Sequence, residues 1–148
     1  MTDYQLIVIG AGPGGYEAAL RAAKLGKKVA VVERREAGGT CLNRGCIPTK
    51  TLLHSSAIYR DAKNGAHCGI HVEDIRVDMA EIFAYKRAVS QKLSAGIESL
   101  FKSAKVDLLH GTALITGSGS VRVTDAAGSA NDYTCGDILI ATGSVPSR

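Results

Sequence analysis

Residues 4–33 read YQLIVIGAGPGGYEAALRAAKLGKKVAVVE, and this stretch decides the fold. Leu6-Ile7-Val8-Ile9 and Val29-Ala30-Val31-Val32 are short apolar runs without polar alternation, the pattern of strands buried on both faces of a parallel sheet. Between them Ala18, Ala19, Ala22 and Ala23 form a small-residue face at helical spacing, with Glu17, Arg21 and Lys24 at polar positions. Gly26 falls where a left-handed helix C-cap is wanted. The unit reads as a βαβ crossover.

Gly10-Ala11-Gly12-Pro13-Gly14-Gly15 fits G-x-G-x-x-G through Gly10, Gly12 and Gly15, directly after one strand and opening the helix. The first glycine permits the tight turn, the second lets backbone approach a pyrophosphate, and the third allows close helix-to-strand packing. Phosphates are then met by free N–H groups and by the positive end of the helix dipole. Glu33 closes the second strand, 23 residues after Gly10, where a carboxylate accepts hydrogen bonds from ribose hydroxyls. An isolated glycine match is more often an ordinary turn; here strand, helix, strand and acid are all in register. The half-site suits the ADP portion of NAD and of FAD equally well.

The next stretch, GGTCLNRGCIPTK (38–50), places Cys41 and Cys46 with four residues between them. That is not the two-residue spacing of thioredoxin-like centres, and it suits zinc only loosely. Zinc needs two more ligands, and the nearby His54, His67 and Cys68 complete no familiar pattern. Two buried reduced thiols are the plain alternative, but Gly38, Gly39, Gly45 and Pro48 mark a specially shaped segment. The reading favoured is a redox disulfide that opens to a dithiol. Arg44, Lys50 and a helix start are each placed to favour a thiolate, and Lys50 lies one helical turn beyond Cys46.

Beyond Pro48, the spacing of Leu52, Leu53, Ser56, Ala57 and Tyr59 predicts a helix running to the turn-like Lys63-Asn64-Gly65. The helical segment 76–105 has apolar positions at Met79, Ile82, Phe83, Val89, Leu93, Ile97, Leu100 and Phe101, so one long amphipathic helix with a core-facing side is expected. From 106 to 144 short β-rich runs alternate with Gly, Ser, Asp and Asn. They predict an antiparallel meander followed by a buried strand at Asp137–Ala141.

Composition narrows the classes. The chain has 148 residues, 45% hydrophobic and 22% charged, which is ordinary for one globular domain. A net charge of +4 with scattered basic residues and no Trp speaks against a nucleic-acid surface. No apolar run approaches the roughly 18 residues of a membrane span, and Met1-Thr2-Asp3-Tyr4 does not open a signal peptide, so a cytoplasmic location is expected.

Taken together, IVIGAGPGGYEAALRAAKLGKKVAVVE, GGTCLNRGCIPTKTLLHSS and ILIATGSVPS resemble the N-terminal FAD-binding part of the pyridine nucleotide-disulfide oxidoreductases. CLN with CIP points to the branch that oxidises dihydrolipoamide; the glutathione and mercuric reductase types are the alternatives, as is a non-catalytic nucleotide-binding fragment. The resemblance implies a Rossmann-like α/β domain with a parallel sheet, a small antiparallel meander and a long helical insertion. Its parts are an ADP-binding unit at 4–33, a redox segment at 38–60, the helical segment at 76–105, and a meander with an "ATG" strand end at 106–144.

It further implies that Gly10, Gly12, Pro13, Gly14 and Gly15 wrap the FAD pyrophosphate and that Glu33 and Arg34 hold the adenosine. Gly39, Thr40 and Cys41 run along the cofactor. Gly111 and Ala113 meet the adenine, and Ala141, Thr142, Gly143 and Ser144 touch FAD again. Cys46 faces the flavin with Lys50 beside it, and Cys41 exchanges with the dithiol. Electrons pass from dihydrolipoamide, or a lipoyl-protein, to NAD bound by a further domain. The resemblance also brings a homodimer, a 2-oxoacid dehydrogenase or glycine-cleavage assembly, and an interface-domain histidine base. His54, His67, His71 and His110 match no part of that base motif, so this chain alone is expected not to turn over. Arg44 stands where many members have a small apolar residue, either lowering a thiol pKa or pointing into solvent.

Overall fold

The computed structural model describes residues 2–145 and 147. Strand β1 (Tyr4–Ile9), helix α1 (Pro13–Lys24) and strand β2 (Val29–Glu33) form the expected crossover, with β1 and β2 parallel and Leu6 opposite Val29. Pro13 occupies the first turn of α1, where its fixed φ and missing N–H cost nothing. Gly26 ends the helix at φ +84, its N–H donating to the Ala23 carbonyl.

Helix α2 (Gly39–Arg44) and helix α3 (Cys46–Asn64) meet at Gly45, so the two cysteines lie on adjoining helices. Helix α3 starts at Cys46, ahead of the expected Pro48, because proline is tolerated throughout a first turn that has no N–H partner to lose. The short α2 was not legible from periodicity, being six residues long.

A single turn of 3₁₀-helix (Gly65–Cys68) leads to α4 (Met79–Ser103), whose N-cap Asp78 accepts hydrogen bonds from the N–H groups of Ala80 and Glu81. Its apolar side is not all core. Ile97 and Phe101 are buried, but Met79, Phe83, Leu93 and Leu100 are exposed, and the buried residues at mid-helix are Ser90 and Ser94. A 25-residue helix is roughly 37 Å long, so only its C-terminal turns reach the sheet, while the N-terminal half packs along α3.

Strands β3 (Asp107–His110), β4 (Thr112–Gly117), β5 (Ser120–Thr124) and β6 (Ala130–Ile140) complete a sheet of order β3-β2-β1-β6-β5-β4. Asp107–His110 is not part of the meander: it pairs parallel with β2 and extends the nucleotide-type sheet, His110 lying opposite Glu33. β6 joins the parallel and antiparallel halves of this sheet, since Ala130–Thr134 pair antiparallel with β5 and Cys135–Ile140 pair parallel with β1. The expected buried strand at 137–141 is covered only in part, Ile138 being half-buried and Ile140 64% exposed, because the main neighbours of β6 are the strands β1 and β5 rather than a helix laid over its face.

β1 sits between two cores. Val8 joins Ala19, Val31, Ile97 and Phe101 on the helical side, and Ile7 joins Ala30, Val32, Val121 and Val123 beneath the meander. Ile7 and Val8 are both fully buried, each side chain contributing about 1.5–3 kcal/mol relative to exposure. Among the described residues no helix is long and apolar enough to cross a membrane.

Tyr4 of β1 reaches past β2 to β3: its hydroxyl donates to the Asp107 carboxylate at 3.0 Å. Burial first, and then that hydrogen bond, push the phenol up to about 12. Unfolded, it ionises near 10, so between about pH 10 and 12 the unfolded chain binds fewer protons and stability falls with rising pH. Ultraviolet titration of the five tyrosines is expected to show one ionising only near pH 12 in the folded chain. Tyr4→Phe removes that step.

Candidate functional site

The turn after β1 is closed by backbone alone. Gly10 has φ +106, and a Cβ there would sit inside contact distance of the Ala141 carbonyl, while the Ala141 N–H donates to Ile9 O at 2.8 Å. Strand β6 therefore delivers Ala141 to Ser144 beside the glycine turn. A Cβ on Gly39 would lie 2.8 Å from Gly12 Cα, so the first residue of α2 touches the glycine turn backbone to backbone. The Gly38 N–H, donating to Ala11 O at 2.8 Å, fixes this contact.

These approaches form a groove of ≈ 460 Å³. Gly10, Gly12, Pro13 and Gly14 line it from the turn, Glu33 and Arg34 from the end of β2. Gly39, Thr40 and Cys41 line it from α2, and Ala141, Thr142, Gly143 and Ser144 from beyond β6. The first-turn N–H groups of α1 have no partners within the helix, which has no capping side chain.

The remaining predicted residues lie elsewhere. Gly15 is buried behind the turn, where a Cβ would overlap the Gly10 carbonyl. Gly111 lines a second depression of ≈ 430 Å³, which shares Arg34 with the groove, whereas Ala113 packs against the Val121 and Val123 core. Cys46 and Lys50 are exposed on the first turns of α3 and do not line the groove.

Glu33 is already engaged, one oxygen accepting from the Ala11 N–H and the other from the Arg35 N–H, both at 2.9 Å. A carboxylate has about four acceptor positions, so capacity for further donors remains.

Cys41 and Cys46 form a disulfide, with Cα atoms 4.7 Å apart, inside the range such bridges need. Cys46 is the first residue of a 19-residue helix, the position at which the helix dipole favours a thiolate. Cys68 is free and exposed. Cys135 is free and buried, and burial pushes its thiol up. Among the described residues no three His, Cys, Asp or Glu side chains gather as a metal site.

Several residues of this site were not read from the sequence. Ser90 donates to Leu42 O at 3.2 Å and Ser94 to Ala37 O at 2.9 Å, so α4 holds α2 and the segment that leads into it. Asn43 Nδ2 donates to Ala37 O and Gly39 O, pinning the same segment. The four-residue spacing of the two serines on one helix face was the available signal. Arg35, Glu36 and Arg44 also line the groove. Arg44 is exposed, and its guanidinium bonds Glu36 Oε2 at 2.6 Å. Glu36 is held below the usual carboxylate range by its own backbone N–H first and by Arg44 second.

The sequence profile of the pyridine nucleotide-disulphide oxidoreductases matches residues 4–148. Dihydrolipoyl dehydrogenase of Bacillus subtilis is 49% identical over 95% of this chain and 30% of its own length. The protein of that name from Chlorobaculum parvum is 46% identical over 97% of this chain and 31% of its own. Dihydrolipoyl dehydrogenase 3 of Pseudomonas aeruginosa is 48% identical over 99% of this chain and 32% of its own. The chain thus spans about a third of the length of the curated relatives it matches. The groove joins the glycine turn, Glu33 and the disulfide cysteine Cys41, and with the profile matching residues 4–148 the chain belongs to the pyridine nucleotide-disulphide oxidoreductase family.

Proposed function

We propose that the groove holds FAD and that Cys41–Cys46 is the redox disulfide of a flavoprotein dehydrogenase acting on dihydrolipoamide or a lipoyl-protein, with NAD as final acceptor in the full-length protein. The observation that supports it most is the position of Cys41, a disulfide sulfur lining the same groove as the pyrophosphate-type glycine turn. The names of the relatives support the lipoyl substrate. A homodimer serving a 2-oxoacid dehydrogenase or glycine-cleavage assembly follows from the same reading.

The residues present fit the cofactor. Gly10, Gly12 and Gly14 leave a side-chain-free cradle at the N-terminus of α1, Glu33 and Arg34 suit the adenosine, and Gly111 stands at the neighbouring depression. Bound there, the flavin supplies the two-electron chemistry linking a dithiol couple to a nicotinamide.

The chain's own part is thiol exchange. A substrate thiolate attacks Cys41 Sγ, forming a mixed disulfide and releasing Cys46 as thiolate. The helix N-terminus stabilises this leaving group. The second substrate thiol gives its proton to solvent and attacks the substrate sulfur of the mixed disulfide. That closes the substrate disulfide and frees Cys41, and two electrons then reside in the cysteine pair.

Titration of the purified chain with FAD, followed by flavin fluorescence and competed by ADP, tests the reading. Gly12→Val keeps an extended N-cap conformation that valine adopts, but fills the cradle. It is expected to weaken FAD at least about tenfold, since backbone approach is lost, while circular dichroism is unchanged. Equal binding by both proteins contradicts the assignment.

A further inference from the structure

Arg44 is the one cation inside the Cys41–Cys46 loop. Cys41 and Arg44 are three residues apart on α2, the spacing that sets two side chains on one helix face about 5–6 Å apart at Cβ. Both line the groove, and Cys41 is exposed on it. The guanidinium nevertheless rests on Glu36, which lies on the other side of the Gly38-Gly39 turn. A cation suited to a Cys41 thiolate is thus held by an acid five residues upstream of that cysteine.

We propose that Glu36 and Arg44 form a charge pair that sets the acidity of Cys41 in the reduced chain, Arg44 being the stabilising cation and Glu36 the positioning residue that holds it back. This rests on the reading of Cys41–Cys46 as a redox pair. The disulfide form has no thiolate, so Arg44 stays on Glu36. When the bridge is reduced, the Cys41 thiol can lose its proton, and the thiolate then competes with Glu36 for the guanidinium.

Other charges surround the site but remain the same in each comparison below. At the end of β2, Glu33 is committed to two backbone N–H groups, and Arg34 and Arg35 line the groove. On α3, Lys50 is exposed one turn beyond Cys46. On α4, Lys86, Arg87 and Glu98 face Arg44 across an adjoining cavity of ≈ 590 Å³, and His110 of β3 closes it. Lys86 is partly committed to the Phe83 ring, 5.4 Å from its centroid.

The two members of the pair act with opposite signs. Glu36→Gln releases the cation and leaves one more net positive charge beside Cys41, whereas Arg44→Gln leaves an uncompensated carboxylate there. A unit charge at roughly 6 Å in a water-like medium changes the thiolate fraction about threefold. The chain is reduced with excess dithiothreitol, which becomes the cyclic disulfide as the two cysteine thiols form, and is then freed of reagent. Iodoacetamide labelling of Cys41, resolved by mass spectrometry, is followed against pH. Below the thiol pKa, Glu36→Gln is expected to label about three times faster than the parent and Arg44→Gln about three times slower. The double variant should return near the parent rate, Arg44→Lys should retain most of it, and molar salt should shrink all the differences.

A purely structural clamp moves both single variants in the same direction, and that result overturns the proposal. So does a change in neither beyond about 1.5-fold, against the about threefold expected of a near charge. Failure of the underlying redox reading appears separately, as a parent chain whose thiol count does not rise on reduction.

Discussion

Replacing Cys41 by Ser is expected to abolish the reducible pair outright. Unfolded without reductant, the parent chain should show two thiols, Cys68 and Cys135, and after reduction four. The Cys41→Ser chain should show three under both conditions. The bridge closes only a five-residue separation, so by loop closure its loss costs on the order of 2 kcal/mol. The variant is expected to fold. In the full-length protein the same substitution should lower dithiol oxidation at least about a thousandfold, because no second sulfur is left to leave as electrons enter the pair. A parent chain showing four thiols before reduction, together with undiminished oxidation by the serine variant, removes the disulfide from the mechanism.

Gly10→Ala carries the second large effect, this one on folding. A methyl at Gly10 meets the backbone carbonyl of Ala141 and lies 3.3 Å from Thr142 Cα, and the residue holds φ +106. Neither neighbour is the flexible end of a side chain. Strand β6 is fixed beside β1 by a continuous register and by the Ala141 N–H bond to Ile9, so relief requires moving a central strand. Left-handed backbone and core overpacking together are expected to cost about 3 kcal/mol, read from urea denaturation. Gly14→Ala is the control. Its Cβ meets nothing within 4 Å, no left-handed φ is involved, and alanine in the first turn of α1 is expected to be neutral or stabilising by up to about 1 kcal/mol. Equal losses at both positions contradict the close approach of β6 to the glycine turn.

Much of the site was open to reading because its signals are local. The glycine turn must follow a strand and open a helix, and Glu33 must end the next strand; all of these fall within thirty residues. The cysteine segment was equally legible, since its glycines and proline restrict backbone shape wherever they occur. Arg44 shows where such reading stops. Its position between the cysteines was visible, but the guanidinium had several acids within reach, and only the turn at Gly38-Gly39 brings Glu36 to it.

The same division runs through the fold. By itself the sequence determined the βαβ unit, the helix that follows the cysteines and the existence of short strands after 106, because hydrophobic period and turn residues act over a few positions. Strand partners are a longer-range matter. Asp107–His110 has the composition of a meander strand, yet it pairs with β2, more than seventy residues earlier, since the open edge of β2 and the Phe101 end of α4 meet there. The strand expected at 137–141 is continuous with the end of the meander, and Ala130–Ile140 run antiparallel to β5 and then parallel to β1. Which apolar positions of α4 became core was likewise decided by where the sheet ends. Period places a side chain on a face; only the packed tertiary structure determines what that face meets.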